Sequence, residues 1–571
     1  MRYNYIQHGF TSGELSPRME MREDLKSRAY GVEIMENFFP HLQGSTETLP
    51  GFEYLNSISE DYGRLFSFRI DDCLERTILI TTTRICIVGT NDQMVQEILH
   101  DKWDTHLKLD SIQVAFPSQE VSMYIVSSYV FPQILKYDRS SDSFSLSPAQ
   151  IVSPPDEWGS NNYPGAITFY GGRLYYGGTG LQPSQIWGSK SVAKASDVRN
   201  YDNFTIGSLA DDAISFSIPK AGKIMWMQGT KDFLVGTDTA EAKISSEGGV
   251  IIPGDIQVKI QSTIGSCPHQ PIVINNELFF ISADRRRIYK SRYDWMSDNW
   301  KPTNILFGAD HLTRQQKLKR IVSVKNPDNL IFCTTEEGHL IGALYDSESE
   351  VVGFFRKQSN STCVFKDVIS IERDGSSELW GLIDRDINSK LYIERINFQK
   401  GNVKLDSYLI LFNTSGNTDT FTAPTLKGQE CQVILDGKIQ GSVIPDANTG
   451  EFTLPEKGLI CVIGLPILSR LITLPLAGDI STIGTIRTLK KRWIRLFVRI
   501  YSSFKPKING IRPPARSTST PMDTMESAKT ENVKVSNLGW DREGRILIEQ
   551  DLPLFTEILG IFGEVSQRGY E

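Results

Sequence analysis

No two cysteines stand at Cys-x-x-Cys spacing: Cys73, Cys86, Cys267, Cys333, Cys363, Cys431 and Cys461 are scattered along 571 residues. That removes zinc-ribbon and thioredoxin-type chemistry, and the odd count fits reduced, buried thiols better than a secreted disulfide framework. The seven histidines never fall in HxxxH or HExxH spacing, so the sequence offers no paired metal ligands. His269, near Cys267 in GSCPHQP, sits in a proline-containing loop with no third orienting group, and reads as a packed turn rather than a nucleophile and base. Long apolar runs are also missing. The oiliest passage, GLICVIGLPILSRLITLPL, is broken by Pro466, Arg470 and Pro475; a membrane helix needs about 18 apolar residues, so two buried strands joined by a turn are expected. The opening MRYNYIQHGF alternates polar and apolar residues and lacks the apolar run of a signal peptide, so no membrane insertion is expected.

Basic charge is not in excess. The formal net charge is −7 and the pI about 5.7, which argues against a surface that grips nucleic acid throughout, because phosphate binding relies on clustered Lys and Arg. Signs of catalysis are equally sparse. The glycines between Gly171 and Gly180 lack the GK[ST] ending of a phosphate-binding loop and read as hairpin turns. The doublets Asp71/Asp72 and Asp211/Asp212 place neighbouring acids on opposite faces of a strand, so neither makes a glycosidase pair alone. No S-x-D-x-G-x-x-W turn of the sialidase type occurs. No catalytic, cofactor-binding or metal-ligating residue is expected, and the chain reads as a non-enzyme.

What the sequence does contain is repetition. Between about residues 64 and 396, seven passages each hold two apolar, β-branched or aromatic runs around a polar turn: RTILITTTRICIVGT, VSMYIVSSYVFPQILKYD, GGRLYYGGTGLQPSQIWGS, KDFLVGTDTAEAKIS, NELFFISADRRRIYKSRYD, DNLIFCTTEEGHLIGALYD and SELWGLIDRDINSKLYIERI. These are hairpin signatures, and their spacing of roughly 45 to 60 residues suits four-stranded propeller blades. The fold class expected is all-β, a propeller of about seven blades with six or eight open, a two-sheet sandwich being the alternative. The domains expected are an arm and helix over 1–55, a propeller over 56–400, a β-rich module over 401–540 with a mobile Ser/Thr-rich loop at 515–537, and a closing strand over 541–571. Met21, Leu25, Ala29 and Val32, with Met35 or Glu36, recur at near-helical spacing and predict one amphipathic helix over 18–37.

The most basic passage is IRTLKKRWIRLFVRIYSSFKPKING. Strict alternation from Trp493 predicts a strand with Ile494, Leu496, Val498 and Ile500 on one face and Trp493, Arg495, Phe497, Arg499 and Tyr501 on the other. A basic and aromatic face resembles a single-stranded nucleic-acid platform; in so acidic a chain the better reading is a strand whose arginines meet acids of a neighbouring module.

The opening stretch carries a resemblance. FTSGELSP, then REDLKSRAYGVEIMENFFPHLQGSTETLPGFEYL, is similar to the amino-terminal signature of the tail nozzle family of short-tailed bacteriophages, also called tail tubular protein B. Phe10, Gly13, Glu14, Leu15, Ser16 and Pro17 fit its arm, Arg22, Asp24, Tyr30 and Gly31 its next segment, and Glu36, Asn37, Phe38, Pro40 and Gly44 the element after that. Leu49 departs from it, standing before Pro50-Gly51 where the family often has Arg. Further motifs, from GGRLYYGGTGLQPSQIWGSKS to WDREGRILIEQDLPLFTEILGIFGEV, follow the family order over nearly the whole chain.

The resemblance implies a virion structural protein of the phage tail, made in the bacterial host cytoplasm. It implies a homohexameric ring of propeller subunits below a tail adaptor, with spike, fibre or needle proteins below or beside it. Double-stranded DNA would pass through without sequence-specific binding. An acidic lumen would let DNA slide. The arm is expected to act as a clasp across the propeller or onto a neighbour, and Phe10, Glu14, Leu15, Arg22, Asp24, Arg495 and Arg499 are the candidate subunit or partner contacts. The alternative is a propeller that recognises or cleaves glycan, which requires two facing carboxylates in a mouth pocket.

Overall fold

Each of the seven hairpins forms the middle two strands of a four-stranded antiparallel blade, the last two blades being parts of larger sheets. The computed structural model describes residues 2–568 apart from 72–73, 90, 119, 160, 193–199, 220, 360–362, 374, 388, 400–402, 414–415, 478, 481–483, 486, 488, 515–526 and 537. Six blades are contiguous in sequence, spanning 63–99, 113–148, 166–217, 224–262, 272–304 and 318–357. The seventh takes three strands, Val364–Arg373, Ser376–Asp384 and Leu391–Asn397, and borrows its fourth, Glu53–Ile58, from ahead of the first blade. The all-β propeller expected from the hairpin spacing is therefore present, with seven blades, and strand 53–58 belongs to the ring rather than to the arm.

Burial closes the circle. Leu65 and Leu79 of the first blade pack with Ile369 and Trp380 of the seventh, and Phe68 and Ile78 pack with Met123 and Ile125 of the second. Similar cores join the second blade to the third, the third to the fourth, the fourth to the fifth and the fifth to the sixth. Each blade is thus apolar on both faces, which is why the hairpins read as near-continuous hydrophobic runs. The Gly171-Gly172 turn, with φ of 54° and 74°, joins Tyr170 to Arg173 as a two-residue hairpin loop.

Three structures lie outside the blades. Residues 405–466 form a small sheet that touches the ring edge through the Tyr408 and Glu53 pairing, with its own core around Phe421, Val433, Phe452 and Ile463. Its Asp436-Gly437 turn has positive φ at both residues, as the sequence motif requires. Next, Gly13–Glu14 and Gly31–Glu36 lie parallel to the outer strand of the sixth blade, Val351–Lys357, and the sheet continues through Ser469–Thr473, Leu547–Gln550 and Lys507–Ile508. A third sheet combines Arg2–Gln7, Glu557–Arg568, Lys490–Ser503 and Lys529–Ser536. One core under it joins the arm (Phe10, Val32, Phe38) to the sixth and seventh blades and to Val498, Ile548 and Ile561.

Three expectations are corrected. The helix over 18–37 is absent: only the short turns Pro17–Met19 and Lys26–Ala29 are helical, and Gly31–Glu36 is a strand. An open blade edge on one side and Ser469–Thr473 on the other supply backbone partners for that segment, and tertiary pairing overrides a weak helical period. The oily passage does form two strands, Ile460–Pro466 and Ser469–Thr473, but they enter different sheets instead of pairing with each other. Of the loop expected over 515–537, residues 515–526 and 537 lie outside the described residues, and Lys529–Ser536 is not loop but a strand paired with Lys490–Ser503, whose edge supplies its backbone partners. No described helix is long and apolar enough to cross a membrane.

Candidate functional site

The arm motif is built into the interior. Gly13 has φ of 60°, and a Cβ there would meet the Phe354 carbonyl oxygen at 2.3 Å, so only glycine permits this approach to the sixth blade. Glu14, 1% exposed, accepts from the Met35 amide at 2.9 Å and from Arg356 Nε at 3.0 Å, and meets His311 Nε2 at 2.7 Å. Phe10 is fully buried in the shared core, and Leu15 packs with Met19 and Leu474. Phe10, Glu14 and Leu15 therefore serve contacts within the chain, which corrects their assignment as surface contacts: the sheet edge of the sixth blade had an internal partner waiting. Arg22 and Asp24 stay on the surface as a bidentate pair at 2.9 and 2.8 Å. Asn37, with φ of 55°, donates to the Gln358 and Leu468 carbonyl oxygens and accepts from the Gln358 amide. The clasp across the propeller is thus made of backbone pairing and the side chains of Glu14 and Asn37.

Arg495 and Arg499 project from the outer face of the third sheet. A bulge between Trp493 and Arg495 shifts the alternation by one residue. Trp493 consequently joins the core face with Leu496, Val498 and Ile500, correcting the expectation that it shares the arginine face. The register sets Arg495 opposite Glu564 and Ser536, Phe497 opposite Phe562 and Lys534, and Arg499 opposite Gly560 and Asn532. Phe497 and Phe562 stack at 5.3 Å between centroids and 17° between planes. Ile6, paired with Phe562, is 52% exposed and continues the apolar stripe. Arg2, Arg495, Arg499 and Lys534 share this face with one carboxylate, Glu564, which pairs with Arg2 at 3.3 Å. The result is a cationic and aromatic surface on an acidic chain.

The propeller axis holds a different environment. The innermost strands surround one cavity of about 450 Å³ and a second of about 470 Å³, with His269 a wall of both. Arg64 and Arg320 face the first, and both approach the buried carboxylate of Asp367, Arg64 at 3.7 Å and Arg320 in direct contact. Their guanidinium carbons lie 5.1 and 5.4 Å from the Phe66 ring centroid. Burial, offset by Asp367 and reinforced by Arg64, brings Arg320 down to about 10. His269, buried near four cations, is held well below the usual histidine range, and its Nε2 has no hydrogen-bond partner. At the rim Glu75 and Glu372 are adjacent: the Glu372 amide donates to Glu75 at 2.7 Å, Lys325 pairs with Glu372 at 2.5 Å, and burial raises the Glu75 carboxyl. The doublet at Asp211 and Asp212 is structural, since the Asp212 side chain binds Lys190 while both backbone carbonyls accept from buried Arg173.

A buried ion cluster ties the ring to the module that follows it. Asp406 meets Lys357 at 2.9 Å and Arg385 at 3.4 Å, and Arg385 meets Glu394 at 2.5 Å, all four side chains being at most 2% exposed. Burial would raise the Asp406 carboxyl, but Lys357 and Arg385 pull it down to about 2. Among the described residues no cluster of three or more His, Cys, Asp or Glu is placed to hold a metal.

No family model matches the sequence, and no curated protein sequence matches it. Among solved structures, U3-55K is similar with a TM-score of 0.39 at 10% identity, over 61% of this chain and 100% of that one. The WD40 repeats of RRP9 give 0.38 at 8% identity over 62% and 99%. Raptor of Chaetomium thermophilum gives 0.38 at 9% identity over 60% and 29%. These are likenesses of fold alone, and the β-propeller stands on the seven sheets and the ring of cores between them.

Proposed function

We propose that the chain is a structural subunit of a phage tail nozzle, six copies of which surround a conduit for DNA beneath an adaptor ring. The observation that carries the reading is the cationic, aromatic outer face of the third sheet, centred on Arg495, Phe497, Arg499 and Phe562. Exposed aromatic and arginine groups are enriched where proteins meet proteins, and an otherwise acidic chain supplies the complementary charge for a neighbouring copy. The ordered motifs along the sequence support the same reading. The propeller axis is no route for DNA: its cavities of about 450 and 470 Å³ are small-ligand sized, whereas the major groove of a duplex alone is about 12 Å wide. In this reading the duplex passes between subunits, the adaptor covers one end of the ring and spike, fibre or needle proteins the other.

Light scattering of the purified chain, with and without the adaptor ring, tests this. Six-fold mass is expected, and the double variant R495E/R499E should lose it while remaining folded. A persistent monomer that ignores the adaptor overturns the proposal. The glycan reading has one observation in its favour, the Glu75 and Glu372 pair at the axial rim. Oligosaccharide binding abolished by Glu75→Gln in such a monomer would select it.

A further inference from the structure

Charge on the propeller axis does not balance. Asp367 is 2% exposed and is shared by two guanidinium groups, whose side chains are only 10% and 18% exposed. Arg64 spends its Nη1 on the carbonyl oxygens of Asp110 and Ile112, at 3.2 and 3.1 Å, and Arg320 directs Nη1 to the Leu65 carbonyl at 2.8 Å. The other charges on the axis offset one another: Lys325 meets Glu372, Arg285 meets Glu336 and Lys319 meets Asp110, while Arg69 and Glu75, both lining the first cavity, add one charge of each sign. One positive charge of the Arg64, Asp367 and Arg320 trio is left over inside the ring. Buried charge without a counter-charge is expensive. Beside it lies a cavity of about 450 Å³, bounded by the His269 side chain, whose buried Nε2 has no partner. Lys223 lines the adjoining cavity and makes no ion pair with a described carboxylate.

We propose that this axial cavity binds a small dianion, a phosphoryl or dicarboxylate group, held by Arg320 and His269 and neutralising the surplus charge. The arrangement suits such a ligand in three respects. The guanidinium of Arg320 offers planar donors of the kind that match carboxylate and phosphate oxygens. His269 Nε2, buried beside the cavity without a partner, becomes a donor once the ring turns towards the ligand, and with its proton on that nitrogen it need not be charged. The surrounding blades partly desolvate the site, which strengthens each contact. The site belongs to one chain and does not depend on ring formation.

The test is the melting temperature of the full chain in inorganic phosphate and, separately, in malonate, each against sodium chloride at matched ionic strength. A rise of a few degrees over chloride is expected, growing with ligand concentration. Arg320→Gln should abolish the rise yet fold, because Arg64 and Asp367 then form a balanced pair. His269→Ala, which removes no charge pair, should reduce the rise and serves if Arg320→Gln does not fold. A response to phosphate alone supports a phosphoryl group, and equal responses support a general dianion site. No rise in the wild-type chain, or the same rise in a folded variant, overturns the proposal.

Discussion

Glu14 meets two partners from the far side of the chain, His311 and Arg356, together with a backbone amide. Removing its carboxylate leaves those two side chains facing a hole. Glu14→Ala is therefore expected to cost roughly 2–3 kcal/mol, since each charged hydrogen bond contributes about 1.5–3 kcal/mol and the exposed sides of the partners recover some solvation; the urea midpoint measures it. Two other residues set the pH response. Asp406 is held at about 2 against an ordinary 3.8, so its contribution is present above about 4 and is lost as pH falls towards 2. His41 behaves oppositely. Burial pulls it down, but bonds to Asp328 and Glu47 raise it to about 10, so its contribution is complete below its ordinary 6.5 and is lost as pH rises through 10. Urea midpoints should be highest between about pH 4 and 6.5, and His41→Gln should flatten the alkaline limb. An unchanged limb in that variant would remove His41 from the account.

At the scale of the element, the bulge in strand Lys490–Ser503 decides which side chains are displayed. Trp493, 3% exposed, fills the arm-side core and donates from its indole nitrogen to the Gly544 carbonyl at 2.9 Å. Trp493→Ala should cost about 3–5 kcal/mol, as large aromatic deletions do, whereas Phe497→Ala on the open face should leave thermal stability nearly unchanged and weaken self-association. The same strand shows what sequence reading can and cannot reach. Alternation revealed that a strand existed and that it had an arginine face, because period-two patterning is local. A bulge has no such local signature, so Trp493 was placed on the wrong side. Hairpins were legible for the same local reason: each apolar pair with its Gly, Asp or Asn turn needs no distant partner to be recognised. The near-helical spacing of the arm misleads because its partner is the edge of the sixth blade, more than 300 positions away. The axial trio was invisible on the same account, with Arg64 and Asp367 on blades that meet only when the ring closes.

Across the whole molecule, closure happens twice. The ring shuts when Glu53–Ile58 pairs with Leu391–Asn397, and the outer assembly shuts when Arg2–Gln7 pairs with Glu557–Arg568. Deleting residues 1–40 consequently removes core as well as a clasp, because Phe10, Val32, Met35, Phe38 and Phe39 all lie in the largest buried cluster. In hydrogen exchange, that truncated chain should lose protection over 490–503 and 557–568 while the first five blades, which contribute nothing to that cluster, keep theirs. Protection retained in both regions would show that the arm is dispensable to the fold.

The double closure also imposes an order in time. On the ribosome, residues 2–7 emerge long before the strand they pair with, which is made only after more than 540 further residues. Until then strand Arg2–Gln7 has no partner, and the strand carrying Arg495 and Arg499 lacks one of its two neighbours. Contacts this distant in sequence form late and slowly. A chain that lacks Glu557–Arg568 thus has no finished surface to offer a neighbour, so the making of that one strand sets the earliest moment at which copies could associate.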